Sequence, residues 1–192
     1  GIGVSSLTRA YEYLYDEYDV ILKNVKWIYP LKLYNGLHVH KCRNFLLDSV
    51  ETHRISTGGF IKRFEINNSK LGSLFSYDSN FFVSNSVFDC SLQKLSKCIE
   101  PISCSFSGSA TIENCKFINF SNQYLFSYVS SPDSKLSFSN CSFKGIDKLV
   151  KVFEYPKARY NIFFSNCTFN TKVSVPKELD HIKSSIDNQT LK

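Results

Sequence analysis

The residues with the clearest capacity for metal chemistry are the two histidines of the segment Leu37-His38-Val39-His40. Side chains two positions apart on a β-strand point to the same side, so both imidazoles could bind a common metal ion if a further ligand lay nearby. The sequence assigns no such ligand, and we interpret the pair as two solvated surface imidazoles. We therefore predict no metal site and no cofactor.

Cysteines are the second reactive group, and their number in the 192-residue chain is seven. A chain of this size needs no disulfide framework, and no Cys-x-x-Cys pair marks a zinc site. Cys98 and Cys104 could pair across a short loop. Three other cysteines each follow an asparagine in the same local phrase, and we expect them to be buried free thiols: Cys115, Cys141 and Cys167.

That phrase is an internal repeat. It reads apolar, any, apolar, any, Asn, Cys or Ser, any, Phe, and its asparagines are separated by 29, 26 and 26 residues: Asn85, Asn114, Asn140 and Asn166. Repeats of this length are typical of proteins in which each unit buries its apolar face against its neighbours.

The alternation inside the phrase predicts a strand followed by a sharp turn. Residues two and four before each asparagine are apolar, but the inward positions resume one and three residues after it. The chain must bend at the asparagine, which tolerates the left-handed backbone conformation. We expect an internal ladder of the four asparagines, a ladder of the three cysteines, and a stack of rings roughly 4.8 Å apart formed by Phe88, Phe117, Phe143 and Phe169.

The phrase, seen complete in Leu136 to Phe143, resembles the rungs of right-handed parallel β-helix proteins of the pectin-lyase-like group. It is more loosely similar to the repeats of polymorphic outer-membrane-type surface proteins. The resemblance covers about residues 20 to 172 and implies an all-β, right-handed parallel β-helix solenoid. Leucine-rich repeats have an overlapping period, but their Leu-x-x-Leu-x-Leu lead-in is missing and no helical segment fits between the strands.

Two helices are expected to flank this body. Apolar residues recur at helical spacing between residues 5 and 18, which predicts an N-terminal capping helix within residues 1–19. The β-helix is expected over residues 20–172. A short helical cap or tail is expected over residues 173–192, with Leu179, Ile182 and Ile186 on one face.

Weaker repeats can be aligned around Asn24, Lys41 and Asn68. The steps from residue 24 to 41 and from 68 to 85 are only 17 residues, which we consider very tight for one complete repeat. The number of repeats before residue 80 is therefore left open.

Catalytic residues cannot be assigned. Enzymes of the pectin-lyase-like group need clustered carboxylates or a calcium site to act on acidic polysaccharides. In this chain Glu65, Asp89 and Glu113 fall at different positions of the repeat, and the motifs Asn-Thr-Asp, Asp-Asp, Gly-His-Gly and Arg-Ile-Lys are absent. A carbohydrate-active lyase or hydrolase with an unrecognised site is the alternative to a non-catalytic module.

Outward-facing positions provide the candidate binding residues. A basic column is expected two residues after the turns, and two aromatic side chains face outward in the strands before them: Lys26, Arg43, Lys70 and Lys116, with Phe82 and Phe163. Such a column could meet an acidic glycan or an acidic protein segment. We therefore expect a non-catalytic structural or adhesive module that binds other proteins of a larger assembly or glycans.

Composition excludes some other classes. The formal net charge is +6, but the basic residues are scattered and no nucleic-acid-binding motif occurs, so no nucleic-acid partner is expected. No apolar run reaches the roughly 18 residues of a membrane span. Met is absent even at position 1, which indicates a processed product or a segment of a longer chain. The compartment is left open between the cell surface or secretion and an intracellular structural assembly.

Overall fold

The computed structural model describes residues 3–5, 18–26, 36–59, 61–77, 80–93, 98–105, 109–129, 135–153 and 160–187. These residues are predominantly β-structure. The strands, in chain order, are β1 (Gly3–Ser5), β2 (Asp19–Lys23), β3 (Leu37–His40), β4 (Cys42–Asp48), β5 (Glu51–Thr57), β6 (Ile61–Asn67), β7 (Lys70–Tyr77), β8 (Phe81–Ser84), β9 (Val87–Asp89), β10 (Ile102–Ser105), β11 (Ser109–Glu113), β12 (Lys116–Ile118), β13 (Gln123–Val129), β14 (Lys135–Ser139), β15 (Ser142–Phe143), β16 (Ile146–Phe153), β17 (Asn161–Ser165) and β18 (Thr168–Phe169).

The chain alternates between two sheets. Sheet 1 has seven strands in the order β17-β14-β11-β8-β6-β4-β2. Sheet 2 has eleven strands, with the path β1-β3-β5-β7-β9-β12-β15-β18 and a branch at β7 through β10, β13 and β16. The strand pairings of the described residues are parallel. This arrangement is consistent with a parallel β-helix.

A residue in the left-handed conformation leads from each strand of sheet 1 towards sheet 2. The φ angles at these turns lie between 48° and 56°, at Asn24, Ser49, Asn68, Asn85, Asn114, Asn140 and Asn166. Asparagine suits this conformation because its short polar side chain tolerates positive φ. Backbone hydrogen bonds link consecutive turns: the N–H of Asn114 donates to the carbonyl oxygen of Ser139, and the N–H of Asn140 to that of Ser165, both at 2.9 Å. The parallel ladder therefore continues around the corner.

Phenylalanine rings fill the core below β9, β12, β15 and β18. Four rings form a stack: Phe88, Phe117, Phe143 and Phe169. The centroids of consecutive rings are 4.6, 4.7 and 4.5 Å apart, and each of these side chains is at most 1% exposed. Rings from sheet 1 meet this stack edge-on, with centroids 5.7 Å from Phe143 for Phe138 and 6.0 Å for Phe164. The two sheets are thus joined by interlocking aromatic packing.

The first half of the chain has a different register from the one that the sequence indicated. Lys41, with φ of 50°, joins β3 of sheet 2 to β4 of sheet 1, whereas Ser49 makes the turn from β4 to β5. Asn68 and Asn85 are 17 residues apart, yet β6 and β8 are direct neighbours. A step of 17 residues therefore does complete one repeat. It is short because β7 begins two residues after the turn at Asn68, and the next strand, β8, already belongs to sheet 1.

The two flanking regions differ in what they show. A 3-10 helix over Lys177–Leu179 leads into α1 (Asp180–Asp187), so a short C-terminal helix is present. Ile182 and Ile186 are buried, and the Ser185 hydroxyl donates to the carbonyl oxygen of Phe164 at 3.3 Å, which places α1 against β17.

At the other end, β1 pairs with β3. The sequence predicts a capping helix within residues 1–19. Of these residues, 3–5 form β1 and Asp19 begins β2. Residues 6–17 lie outside the described residues, so the helix itself is not shown. No helix in the described part of the chain is long and apolar enough to cross a membrane.

Candidate binding surfaces

Three cysteine thiols form hydrogen bonds on the inner side of the turns: Cys115, Cys141 and Cys167. Each thiol follows a turn asparagine, is at most 2% exposed and donates to the carbonyl oxygen two residues earlier, at 3.2, 3.3 and 3.4 Å. Hydrogen bonding to Cys115, together with burial, raises the pKa of Cys141 to about 12. The same contact with Cys141 lowers the pKa of Cys115. Because all three thiols are buried and make the same contact inside the turn, we interpret the ladder as part of the core packing.

The same turn-closing contact occurs with serine in earlier repeats. The Ser69 hydroxyl donates to the carbonyl oxygen of Asn67 at 2.6 Å, and the Ser86 hydroxyl to that of Ser84 at 2.7 Å. Ser86 also accepts the backbone N–H of Ser69 at 3.0 Å. Serine or cysteine therefore makes this contact at five of the seven turns described above, whereas Val25 and Val50 occupy the position after Asn24 and Ser49 and pack against the core instead.

The cysteines outside the repeat pair differently from the sequence expectation. Cys90 and Cys98 form the disulfide, with their Cα atoms 5.8 Å apart, and Cys104 is buried as a free thiol. The proposed pairing of Cys98 with Cys104 is wrong. Cys104 lies on β10 with its side chain buried in the core, and Cys98 is bonded to Cys90 instead.

The turn asparagines do not form an internal ladder of side chains. Asn85, Asn114, Asn140 and Asn166 are all exposed. Their backbone N–H groups connect the repeats, as described above, and their side chains lie at the surface. The left-handed backbone and not an interior amide contact explains why this residue type recurs.

The proposed basic column is only partly present. Lys70 pairs in register with Val87, and Val87 with Lys116. Lys26 bridges to Glu51, which is itself paired with Lys70. Arg43 lies on β4 of sheet 1, away from this column, so its inclusion is wrong. The reason is the register: Lys41 is not equivalent to the turn asparagines.

Acidic neighbours neutralise most of this column. The ammonium group of Lys26 is 2.9 Å from a carboxylate oxygen of Glu51, and that of Lys70 is 2.9 Å from Asp89. Lys116 is exposed and has no ion pair within the described part of the chain. A column with one unpaired lysine has little net field for an acidic partner.

Asp89 is the buried anion of this region. Burial alone would raise its pKa, but hydrogen bonds from Lys70, Asn119 and Ser91 outweigh burial and lower the pKa to about 2. The Asn119 amide donates at 2.8 Å and the Ser91 hydroxyl at 2.7 Å to the same carboxylate oxygen, Oδ1. A carboxylate with this many donors is a structural anchor for the chain after β9.

The outward face of sheet 1 is the most distinctive surface of the molecule. Its central column, one residue per strand in register, is Ile21, Leu46, Glu65, Phe82, Thr111, Ser137 and Phe163. Phe163 is 51% exposed and Phe82 is half-buried. With strands about 4.8 Å apart, these two rings are about 14 Å apart, with two hydroxyl side chains between them.

Two ion pairs lie on this face. Arg43 donates to both carboxylate oxygens of Asp19 at 2.8 and 2.9 Å, and Arg63 does the same to Glu65 at 2.7 and 3.1 Å. The ammonium group of Lys135 lies 5.7 Å from the ring centroid of Phe163. The face therefore combines two compensated ion pairs with hydroxyl and aromatic groups near its Phe163 end, and the exposed Lys23 and Lys135 are outside the ion pairs found among the described residues.

Five of the described carboxylates are engaged by basic side chains. Asp19, Glu51, Glu65, Asp89 and Glu100 are each in an ion pair with a lysine or arginine. Within the described ranges, no group of three or more His, Cys, Asp or Glu side chains is placed to hold a metal ion. The sequence expected Phe82 and Phe163 on one sheet; it did not identify Thr111 and Ser137 as their neighbours in one column, because this requires the strand register.

Comparisons of the chain with protein-family models, curated proteins and solved structures found no match.

Proposed function

We propose that the chain is a right-handed parallel β-helix module without catalytic activity, which binds an extended, largely uncharged glycan along the outward face of sheet 1. The observation that carries this proposal is Phe163, a large apolar side chain 51% exposed on a flat sheet, in one column with Thr111, Ser137 and Phe82.

The chemistry of the column fits a sugar chain. The apolar CH surface of a sugar ring packs on an aromatic face, and hydroxyl side chains exchange hydrogen bonds with sugar hydroxyls. Thr111 and Ser137 supply such hydroxyls between the two rings. Arg63 is bound to Glu65 and Arg43 to Asp19, so both guanidinium groups are already engaged, which favours an uncharged ligand over an acidic one.

The size of the face favours a narrow ligand over a folded protein. Seven strands about 4.8 Å apart span about 29 Å, and a five-residue strand is about 13 Å long, which gives an area on the order of 400 Å². A stable protein interface buries about 800 Å² on each partner. An extended chain that follows one column of side chains needs far less width.

The test uses the full chain and a panel of soluble neutral polysaccharides (a β-glucan, a mannan, a galactan and starch), with pectate and heparin as acidic comparators. Binding is measured by affinity electrophoresis, and the length of each polysaccharide is measured after prolonged incubation. We expect retention by at least one neutral polysaccharide, no shortening of the chain, and about tenfold or greater weakening in Phe163→Ala.

Lys116→Ala, on sheet 2, is the matched control and should leave this binding unchanged. Phe82→Ala should weaken binding less than Phe163→Ala, since Phe82 is the more buried of the two rings. Binding of none of the neutral polysaccharides, or equal binding by Phe163→Ala and the wild type, would overturn the assignment of the face. Shortening of any polysaccharide would favour the enzyme alternative.

A further inference from the structure

A second feature lies on sheet 2, on the strand that carries the histidine pair. His38 and His40 are both half-buried, alternate with the core residues Leu37 and Val39, and have ring centroids 6.5 Å apart. Two imidazoles bound to one ion with metal–nitrogen distances of about 2.0–2.1 Å have centroids roughly 5 to 6.5 Å apart, depending on the angle between them. The observed separation lies at the upper end of this range.

A pair of glycines leaves room at the nitrogen edges of these rings. A Cβ atom built on Gly58 would lie 2.7 Å from Cδ2 of His40 and 3.2 Å from Nε2 of His38. A Cβ atom built on Gly59 would lie 3.7 Å from Cε1 of His40. Gly58 therefore lies beside both rings, whereas Gly59 is closer to the aliphatic stem of Lys41, whose Cγ is 3.0 Å from the same point.

The loop under the rings is held in place by the sheet. The backbone N–H of Gly58 donates to the carbonyl oxygen of Val39 at 3.0 Å. Any residue larger than glycine at position 58 would fill the gap between the two imidazoles. The gap is thus a fixed feature that depends on the residue type at this one position.

Ser56 orients the first of the two rings. Its hydroxyl oxygen is 2.8 Å from Nδ1 of His38, which leaves Nε2 as the nitrogen directed to the glycine gap. A hydrogen bond at the second ring nitrogen is the usual support of a metal-binding histidine, since it fixes the orientation of the ring.

We propose that His38 and His40 form an open binding site for one divalent transition-metal ion of the imidazole-preferring class, such as Zn²⁺, Ni²⁺ or Cu²⁺. The ion is bound through Nε2 of both rings above Gly58, and Ser56 supports His38 from behind. With two protein ligands, water or a donor from a bound partner completes the coordination, so the site is accessible rather than structural.

The experiment titrates the untagged, folded protein with Zn²⁺ by calorimetry, and repeats the titration with Ni²⁺. Two-bond proton–nitrogen NMR spectra of the imidazoles identify the nitrogens that bind. We expect one saturable site, with the resonances of Nε2 and not Nδ1 shifted for His38. His38→Ala and His40→Ala should each weaken binding about tenfold or more, and Ser56→Ala by about tenfold.

His181→Ala is the matched control, because this histidine lies on α1 and its Nε2 is already 3.0 Å from the carbonyl oxygen of Tyr160. It should bind Zn²⁺ as the wild type does. Gly58→Ala should weaken binding while both histidines remain, which separates the geometry of the gap from the mere presence of imidazoles. Far-UV circular dichroism verifies that each variant is folded.

Two outcomes would overturn the site. One is the absence of saturable binding by the wild type at millimolar Zn²⁺ and Ni²⁺. The other is binding that persists in the His38→Ala/His40→Ala double variant, which would place the metal on other side chains. Neither outcome affects the proposal for sheet 1, because the two surfaces share no residues.

Discussion

Replacing Phe143 by alanine tests the aromatic stack directly. The ring is 1% exposed and lies between Phe117 and Phe169, with centroids 4.7 and 4.5 Å away. Truncation of a buried Phe to Ala costs about 3–5 kcal/mol, and each aromatic pair adds about 0.5–1.5 kcal/mol beyond simple burial. With a ring on each side, we expect the loss in unfolding free energy to lie in the upper half of that range, about 4–5 kcal/mol.

The measurement is urea-induced unfolding followed by far-UV circular dichroism, with amide hydrogen exchange as a local readout. Arrays of repeats need not unfold in one step, so the slope of the transition must be compared between variants before free energies are quoted. Hydrogen exchange should show the loss of protection centred on the neighbouring strands β12, β15 and β18. This local pattern distinguishes a damaged stack from a general loss of stability.

Phe163→Ala is the matched control for this substitution. It removes the same group from β17 of sheet 1, but from a side chain that is 51% exposed. Its cost should stay within about 0.5–1 kcal/mol. Equal losses for Phe143→Ala and Phe163→Ala would refute the reasoning, since they would mean that the inward and outward positions are not distinguished as the register requires.

Two further substitutions test the turn and the buried anion. Asn140 has a φ of 52°, so Asn140→Gly should be nearly neutral, whereas Asn140→Ala should lower the unfolding free energy by about 1–2 kcal/mol; equal effects of Gly and Ala would argue against backbone strain as the cause. For Asp89, the pKa of about 2 in the folded state lies below the ordinary 3.8, so its contribution of about 2 kcal/mol is complete above about pH 5 and is lost as the pH falls towards 2. Asp89→Asn should remove this acid-dependent part of the stability, which urea unfolding between pH 2 and 6 would show; an unchanged pH profile would contradict the assignment.

The sequence predicts the core of the second half well because two signals agree there. Apolar residues alternate with period two before each turn asparagine, and a Cys-x-Phe pair follows it in each of the last three repeats. Alternation identifies inward positions without any knowledge of the partner strand. The inward side chains Ile112, Phe138 and Phe164 could therefore be assigned from the pattern, and each is buried.

The first half could not be aligned in the same way, since its turn at residue 49 uses serine. Phe45, Leu47, Val50 and Thr52 follow the inward pattern around Ser49 and are all buried, but without an asparagine the pattern has no fixed origin. The alignment placed the turn at Lys41, because this residue follows an alternating segment. Lys41 does adopt positive φ, but it leads from sheet 2 to sheet 1 and not the reverse. That error moved Arg43 to the wrong sheet and with it part of the basic column.

The surfaces were harder to predict for a physical reason. Ion pairs such as Lys70 with Asp89 join residues 19 positions apart, and the column from Phe82 to Phe163 joins residues of four separate strands. These contacts depend on the register between strands and on the length of each return to the same sheet. The lengths vary from 17 to 29 residues, and local sequence does not determine them.

Repetition itself indicates where the function of such a chain resides. The position after the turn has the same role in five repeats, as Ser69, Ser86, Cys115, Cys141 and Cys167 all donate to the carbonyl oxygen two residues earlier, while Val25 and Val50 occupy it in the first two. The cysteines among these residues look reactive in the sequence, yet they make the bond that serine makes in other repeats. The outward column of sheet 1 behaves differently, since its equivalent positions hold a carboxylate, aromatic rings and hydroxyl groups at Glu65, Phe82, Thr111, Ser137 and Phe163. Parallel stacking constrains only the inward positions, so variation at the outward ones is available for recognition, and this is why the binding proposals rest on the residues that do not repeat.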